Sequence, residues 1–368
     1  MKLKLKVITP TFVGSGETLS PTLDFVFRNN QIILIDQNKL TNWLFENKDR
    51  DLYVRDLTKL ALRGEGNIGR FFSDYKLNLD DFKKISYNIA FSIKERTDTY
   101  RLFRQVKLPI SGELGAYIPG STIKGLLRSA LMFRFIQDNG GWEKVNNSKH
   151  ILENYRPNRG YIGEDIFREE MRFMSTDAMR FIQVTDTSMV PLEKLKVFLL
   201  ERITRSNSPI PQLILGLPKD TEFNLEINIL KGFKDSSIPE YWKRLFEDEK
   251  VIFDVLQLYM ITLMEYEKTL VEKANNSISK PLSSIYARYI AEEKNFIGSK
   301  EKSSIIRIGF GKTYYFNSIG HFFTEEEKKR FIVVRGRNYS SSIFPSSRWI
   351  IRVNQGEIEP PGLCMIYM

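Results

Sequence analysis

No stretch of this chain restricts its fold more than YIPGSTIKGLLRSA at residues 117–130. Pro119-Gly120 dictates a turn, and Ser121 or Thr122 directly behind it suits the capping of a helix. From Ile123 the apolar residues Ile123, Leu126, Leu127, Ala130 and Leu131 follow a period close to 3.6, which predicts an amphipathic helix. Lys124 and Arg128 stand one turn apart on that helix, with Gly125 beside them leaving bare backbone. A helix start aims its free N–H groups and the positive end of its dipole at one point. Two readings fit these residues. One is a capped core helix with two solvated cations; the other is a phosphodiester site formed by Gly120, Ser121, Thr122, Lys124, Gly125 and Arg128.

What surrounds the helix reads mainly as strands. Leu3, Leu5 and Val7 alternate with Lys2, Lys4 and Lys6, the pattern of a half-buried strand, and TPTFVGSGE follows as a loop carrying Gly14, Ser15 and Gly16. Short strands are predicted at 22–28 and 31–35 around an Asn29-Asn30 turn, with Asp36 capping a helix behind them. Alternation continues at 181–185, ending at Asp186, and again at 195–204 and 221–230. The tract from Pro239 to Lys294 is helical by its apolar spacing, with a break near Asp248-Glu249-Lys250. Its outer residues are charged, with acidic groups among them, which suits a protein partner better than RNA. Residues 138–166 are polar and read as an insertion or long loop. These elements predict an α+β fold with helices on one side of a sheet.

Three further stretches carry possible chemistry. RGEGNIGR at 63–70 contains G-x-G-x-x-G, but a helix-like segment precedes it where a dinucleotide fold needs a strand, so a mobile loop is predicted. Between 97 and 107, Arg101, Arg104 and Lys107 interleave with Tyr100, Leu102 and Phe103; a strand lying on RNA and a solvated amphipathic strand both fit. IIRIGFGKT at 305–313 runs a strand into a glycine loop of Gly309, Gly311 and Lys312. Gly311-Lys312-Thr313 copies the end of a P-loop, but Ile306 stands where its first glycine belongs, so nucleotide hydrolysis is set aside. The loop is either a close backbone approach to RNA or to the central helix, or a plain hairpin turn.

Composition narrows the function classes. Lys and Arg total 55 against 45 acidic residues, a net charge of +10 that favours a polyanionic partner, with nucleic acid ahead of a membrane surface. Cys364 is the single cysteine, so no internal disulfide or thiolate zinc site is expected, and a reducing cytoplasm is the natural compartment. The first residues lack a signal peptide's apolar core, and the longest apolar run, near 255–264, is too short to span a bilayer. The two histidines, His150 and His321, have no companion at catalytic spacing, and acidic pairs such as Asp80-Asp81 and Glu169-Glu170 sit in solvated contexts. No catalytic residue, metal or cofactor is assigned.

IPGSTIKGLLRSAL, the opening TPTFVGSGE, the late IGFGK loop and the closing RWII and PPGL segments together resemble the RAMP superfamily of CRISPR-associated proteins. The resemblance touches the chain at four separated places. It implies modified ferredoxin-like (RRM-like) modules with helical insertions: one within 1–235, and a second after a helical block within 236–368. It also implies guide-RNA contacts at the glycine loops and the central helix. Within the superfamily, the length and the helical block are similar to the fifth Csm subunits of type III-A effectors. Those imply a non-catalytic cap on the backbone filament at the crRNA 3′ end. Expected partners are the guide crRNA, the other Csm RAMP subunits and host nucleases that trim crRNA. Two alternatives stay open: an endoribonuclease that processes precursor crRNA, and a target-cleaving backbone subunit. Neither Asp24 nor Asp36 carries over to the aspartate the latter needs.

Overall fold

The structure is a computed structural model and describes residues 1–28, 31–63, 66–84, 89–90, 105–154, 162–168, 176–204, 209–300, 302–333, 345, 347–354 and 357–368. The first strand, β1 (Lys2–Val7), alternates as its sequence demands, with Leu3, Leu5 and Val7 buried. It lies between two antiparallel neighbours from distant parts of the chain. On one side Leu5 opposes Phe223 of β12 (Glu222–Ile229); on the other it opposes Ile366 of β16 (Leu363–Tyr367). With β9 (Ile182–Val184) and β13 (Ser303–Arg307) the sheet order is β13-β16-β1-β12-β9.

The central helix α4 (Gly120–Asp138) lies between β1 and β9 in the chain order, after an inserted segment, and the long helices α8 (Val251–Ala274) and α9 (Ser279–Phe296) lie between β12 and β16. Strands β16-β1-β12-β9 therefore reproduce, in order and polarity, the antiparallel sheet of a β-α-β-β-α-β ferredoxin-like module. The division expected at 235/236 falls within this module, because β1, β9 and β12 precede it while β13 and β16 follow it. Phe133 of α4 meets Tyr259 of α8 edge-on at 5.6 Å, so both helices share one apolar layer over the sheet.

A second sheet runs β15-β14-β10-β11-β6-β2. Its strands are β2 (Gly14–Leu19), β6 (Val106–Pro109), β10 (Lys196–Ile203), β11 (Pro209–Gly216), β14 (Arg348–Asn354) and β15 (Glu357–Glu359), and the short strands β7 (Ser111–Gly112) and β8 (Gly115–Ala116) pair with each other after β6. Residues 14–19 form an exposed edge strand with an irregular register, not a loop, since β6 supplies pairing partners that local sequence does not reveal. β11 is hidden in the sequence because Pro209 and Pro211 break its pattern; they are tolerated because β6 pairs only with Leu213 and Ile214.

Between β2 and β6 lies a small lobe with its own core. It contains β3 (Phe25–Arg28), β4 (Gln31–Leu34), β5 (Ile89–Ala90), α1 (Gln37–Glu46), α2 (Arg50–Arg63) and α3 (Ile68–Asp74). Asp36 caps α1 as expected, accepting from Asn38 and Lys39 N–H at 3.0 and 3.1 Å. The G-x-G-x-x-G stretch follows helix α2, and Asn67 caps α3 within it. The segment after the central helix is not one long loop: it forms α5 (Trp142–Lys149) and α6 (Ile151–Asn154). The helical tract after Pro239 breaks where predicted, between α7 (Glu240–Leu245) and α8. The last helix, α10 (Glu325–Val333), was not foreseen.

Candidate nucleic-acid interface

Three stretches far apart in sequence line one cleft of about 660 Å³. Gly14 and Gly16 come from β2, Ser121, Thr122 and Gly125 from α4, and Gly309 and Lys312 from the glycine loop, with Lys107 of β6 beside them. Eight of the expected binding residues are thus neighbours in space. Ser15 is adjacent and exposed; its hydroxyl donates to Leu108 O at 3.2 Å and accepts from Glu17 N–H, which holds the irregular β2 strand in place. Arg101 and Arg104 lie outside the described residues.

The helix start differs from expectation in a definite way. Neither Ser121 nor Thr122 caps it; Pro119 occupies the cap position, and the Gly120 N–H donates to the Asp186 carboxylate at 2.7 Å. Asp186 ends the segment after β9, which is laced to residue 118 by the Ile118 N–H donating to Thr187 Oγ1 at 2.9 Å. A carboxylate therefore already sits at the positive end of the helix dipole, and the expected open anion site is filled from within. Gly120 is required here: a Cβ would stand 2.3 Å from Val184 O.

The basic pair is also placed differently. Lys124 and Arg128 share a face, but it is not the face lining the cleft. Arg128 donates to Asp177 at 2.8 Å and lies over the Phe167 ring at 4.8 Å, so its guanidinium ties α4 to the chain before β9. Arg168 pairs with the same carboxylate. Burial, and then Arg128, lowers the pKa of Lys124 below the ordinary lysine range. The stripe facing the cleft is instead small and uncharged: Ser121, Gly125 and Ser129 follow one another at helical spacing. An added Cβ at Gly125 would meet nothing. A mid-helix glycine costs about 1 kcal/mol relative to alanine, and here packing gains nothing in return.

Among the described residues, the cleft's cations are Lys107 and Lys312. The Lys107 ammonium rests 4.7 Å above the Phe310 ring. Burial, with Arg307 second, lowers Lys312 to about 8. The glycine loop that carries Lys312 is held from beneath by a residue the sequence reading did not single out. Arg307 is fully buried and donates to Gly311 O (3.3 Å), Tyr286 Oη (2.9 Å) and Pro361 O (3.1 Å), with its guanidinium over Phe316. The available signal was a lone arginine inside the apolar run I-I-R-I. From above, Phe310 N–H donates to Phe12 O at 2.7 Å. Gly309 has φ +78° and its Cβ would fall 2.4 Å from that same oxygen, so only glycine fits. Gly311, at φ +88°, packs its backbone against Pro361 and Trp349 instead of facing the cleft.

Neither histidine reaches the cleft. His150 is exposed, in left-handed backbone, with Glu153 at 3.1 Å. His321 is not in a polar loop as expected; it is half-buried and stacked on Phe133, ring centroids 5.4 Å apart, and desolvation of its ring pushes its pKa down to about 3. Among the described residues no cluster of three or more potential ligands is placed to hold a metal ion.

A family model described as the RAMP superfamily matches residues 4–344. The chain is 25% identical over 404 residues to the CRISPR system Cms protein Csm5 of Methanocaldococcus jannaschii, covering 98% of this chain and 87% of that protein. To the protein of the same description from Streptococcus thermophilus it is 22% identical, over 68% of this chain and 71% of the relative. In structure it resembles a chain of the cryo-EM Csm–crRNA–target RNA ternary complex of a type III-A CRISPR–Cas system, with a TM-score of 0.71, 20% identity and full coverage of both chains. It also resembles the crystal structure of T. onnurineus Csm5, with a TM-score of 0.60, 17% identity and coverage of 99% and 100%. These two likenesses establish a shared fold.

Proposed function

The chain belongs to the RAMP superfamily, and on that premise we propose that it is a non-catalytic, guide-RNA-binding subunit of a type III-A (Csm) ribonucleoprotein. It caps the backbone filament near the crRNA 3′ end and supports crRNA maturation in antiviral defence. One observation carries this reading: three separated glycine-bearing stretches converge on a single cleft, with Lys107 and Lys312 at it. Bare backbone lets a polynucleotide approach closely, and the ammoniums answer its charge. The relatives described as Csm5 and the likeness to a chain of a Csm–crRNA complex support the assignment of partners: crRNA and the other Csm subunits, with trimming nucleases as transient visitors. Among the described residues no helix is long and apolar enough to cross a membrane, which accords with a cytoplasmic effector.

The capping role rests on asymmetry. A filament repeat needs two complementary faces, because a heterologous contact that does not close propagates. The block α7–α9 places charged residues, among them Glu265, Glu272 and Lys280, on its exposed side, and a covered face stops growth. The rival of a precursor-processing nuclease needs a histidine base at the RNA, and both histidines lie elsewhere. Native mass spectrometry of the full chain with and without guide RNA tests the reading. A monomer that takes up one RNA and joins the assembled complex in one copy is expected; RNA-length-dependent polymers of the isolated chain would favour the backbone subunit instead.

A further inference from the structure

The cleft is not built as a simple phosphate track. Its floor is apolar, with Phe12, Leu126 and Phe316 buried beneath it. Phe310 is half-buried at the same place, meeting Phe12 edge-on at 6.3 Å. Beside the two lysines, the exposed edge strand β2 brings Glu17 to the cleft, the one carboxylate among the described residues that line it. A carboxylate repels a phosphodiester. It accepts hydrogen bonds from the amino and ring N–H groups of a nucleobase. Guanine alone among the four RNA bases offers two adjacent donors on its Watson–Crick edge, N1–H and the N2 amine, a fork that a carboxylate accepts with both oxygens.

We propose that this cleft holds one unpaired guanine of the bound RNA, stacked against Phe310 and read by Glu17. This rests on the reading of the cleft as an RNA interface and specifies what that interface selects. About 660 Å³ lies in the range of pockets that enclose one small ligand. The Lys107 ammonium now above the Phe310 ring makes a cation–π contact between two half-buried side chains, of modest strength. A base sliding onto that ring replaces it by stacking and releases Lys107 to the phosphate of the same nucleotide. Gly125, with no side chain toward the cleft, leaves room for the sugar.

The test uses the full chain and four short RNAs: an oligouridine, and the same oligomer with one central guanosine, inosine or abasic residue. Inosine keeps N1–H and lacks the N2 amine. Wild type is expected to bind the guanosine oligomer roughly tenfold tighter than the inosine or abasic one. Glu17→Gln, at an exposed position, should erase the guanosine-over-inosine preference and keep the affinity for the abasic oligomer. Phe310→Leu keeps apolar volume without the ring and should shrink the advantage of any base over the abasic site. Equal wild-type affinity for guanosine and abasic oligomers overturns the base pocket and leaves the RNA interface standing. An undiminished guanosine preference in Glu17→Gln overturns the reader. Failure of every oligomer to bind overturns both readings together.

Discussion

On one side of the cleft, residues 309–312 are fixed from two directions: Arg307 grips the Gly311 carbonyl from below, and Phe12 O receives the Phe310 N–H from above. On the other side, β2 is exposed along nearly its whole length and changes register between Gly14 and Thr18. Both walls are glycine-bearing, yet the glycines serve different ends. Gly309 lies where a Cβ would strike backbone, whereas around Gly16 a Cβ would meet nothing. One wall is a fixed template and the other an open edge. The template wall follows directly on β13 of the first sheet, whereas β2 is a strand of the second.

The largest effect that sharpens this contrast is expected from Arg307→Ala. The substitution removes a buried guanidinium and leaves Tyr286 Oη and the Gly311 and Pro361 carbonyls without their donor. A loss of about 3–5 kcal/mol in urea unfolding is expected, from several unmet buried groups plus a cavity. A loss under about 1 kcal/mol would mean the loop is not held from beneath.

Next in size is a paired comparison of two glycines at positive φ. Gly309→Ala must strain the backbone and displace Phe12 O, for about 2–3 kcal/mol. Gly16→Ala, at φ +92° in open space, carries the backbone term alone, about 1 kcal/mol. Equal losses in thermal or urea melts would erase the distinction between the walls.

The same contrast explains what the sequence could and could not tell. Strands β1 and β12 were legible because each presents one face to the core, so a period of two is written in their residues. β2 was not, because nearly all its side chains are exposed and its pairing comes from β6, some ninety residues on. Three of the RAMP-like stretches come together at one cleft. Lys124 and Arg128, however, stand one helical step from the cleft-facing stripe, and the tertiary contacts to Asp177 and Phe167 set which way Arg128 turns. Asp186 as the cap of α4 was similarly hidden: local rules favour Ser121 and Thr122, and the tertiary contact overrides them.

A smaller effect concerns pH. Lys312, at about 8 in the folded chain against an ordinary 10.5, gives up its proton earlier than the unfolded state does. Stability is therefore held down below about pH 8 and rises as pH climbs from there toward 10.5, because the unfolded chain binds more protons in that window. An RNA phosphate favours the charged amine and raises its pKa, so binding near pH 8–9 should take up a fraction of a proton and weaken as pH rises. Calorimetry in two buffers of different ionisation enthalpy measures the uptake. Lys312→Met should abolish it, and uptake that persists in this variant assigns the proton to another group.

The smallest expected change in stability is the most informative about function. Gly125 sits in the interior of α4, where alanine is the better helix former by about 0.5–1 kcal/mol, and its added Cβ would meet no atom. Gly125→Ala should therefore make the protein slightly more stable. If the bare backbone at this point serves only the fold, RNA affinity will follow stability or stay unchanged. If it is kept open for a polynucleotide running between α4 and the template wall, the methyl group stands in that path. RNA affinity should then fall several-fold while the melting temperature rises. Opposite signs in the two measurements are the expected result, because a purely structural glycine has no means of producing them. A variant that is both more stable and equally tight would move the RNA path off the face of α4 and toward β2.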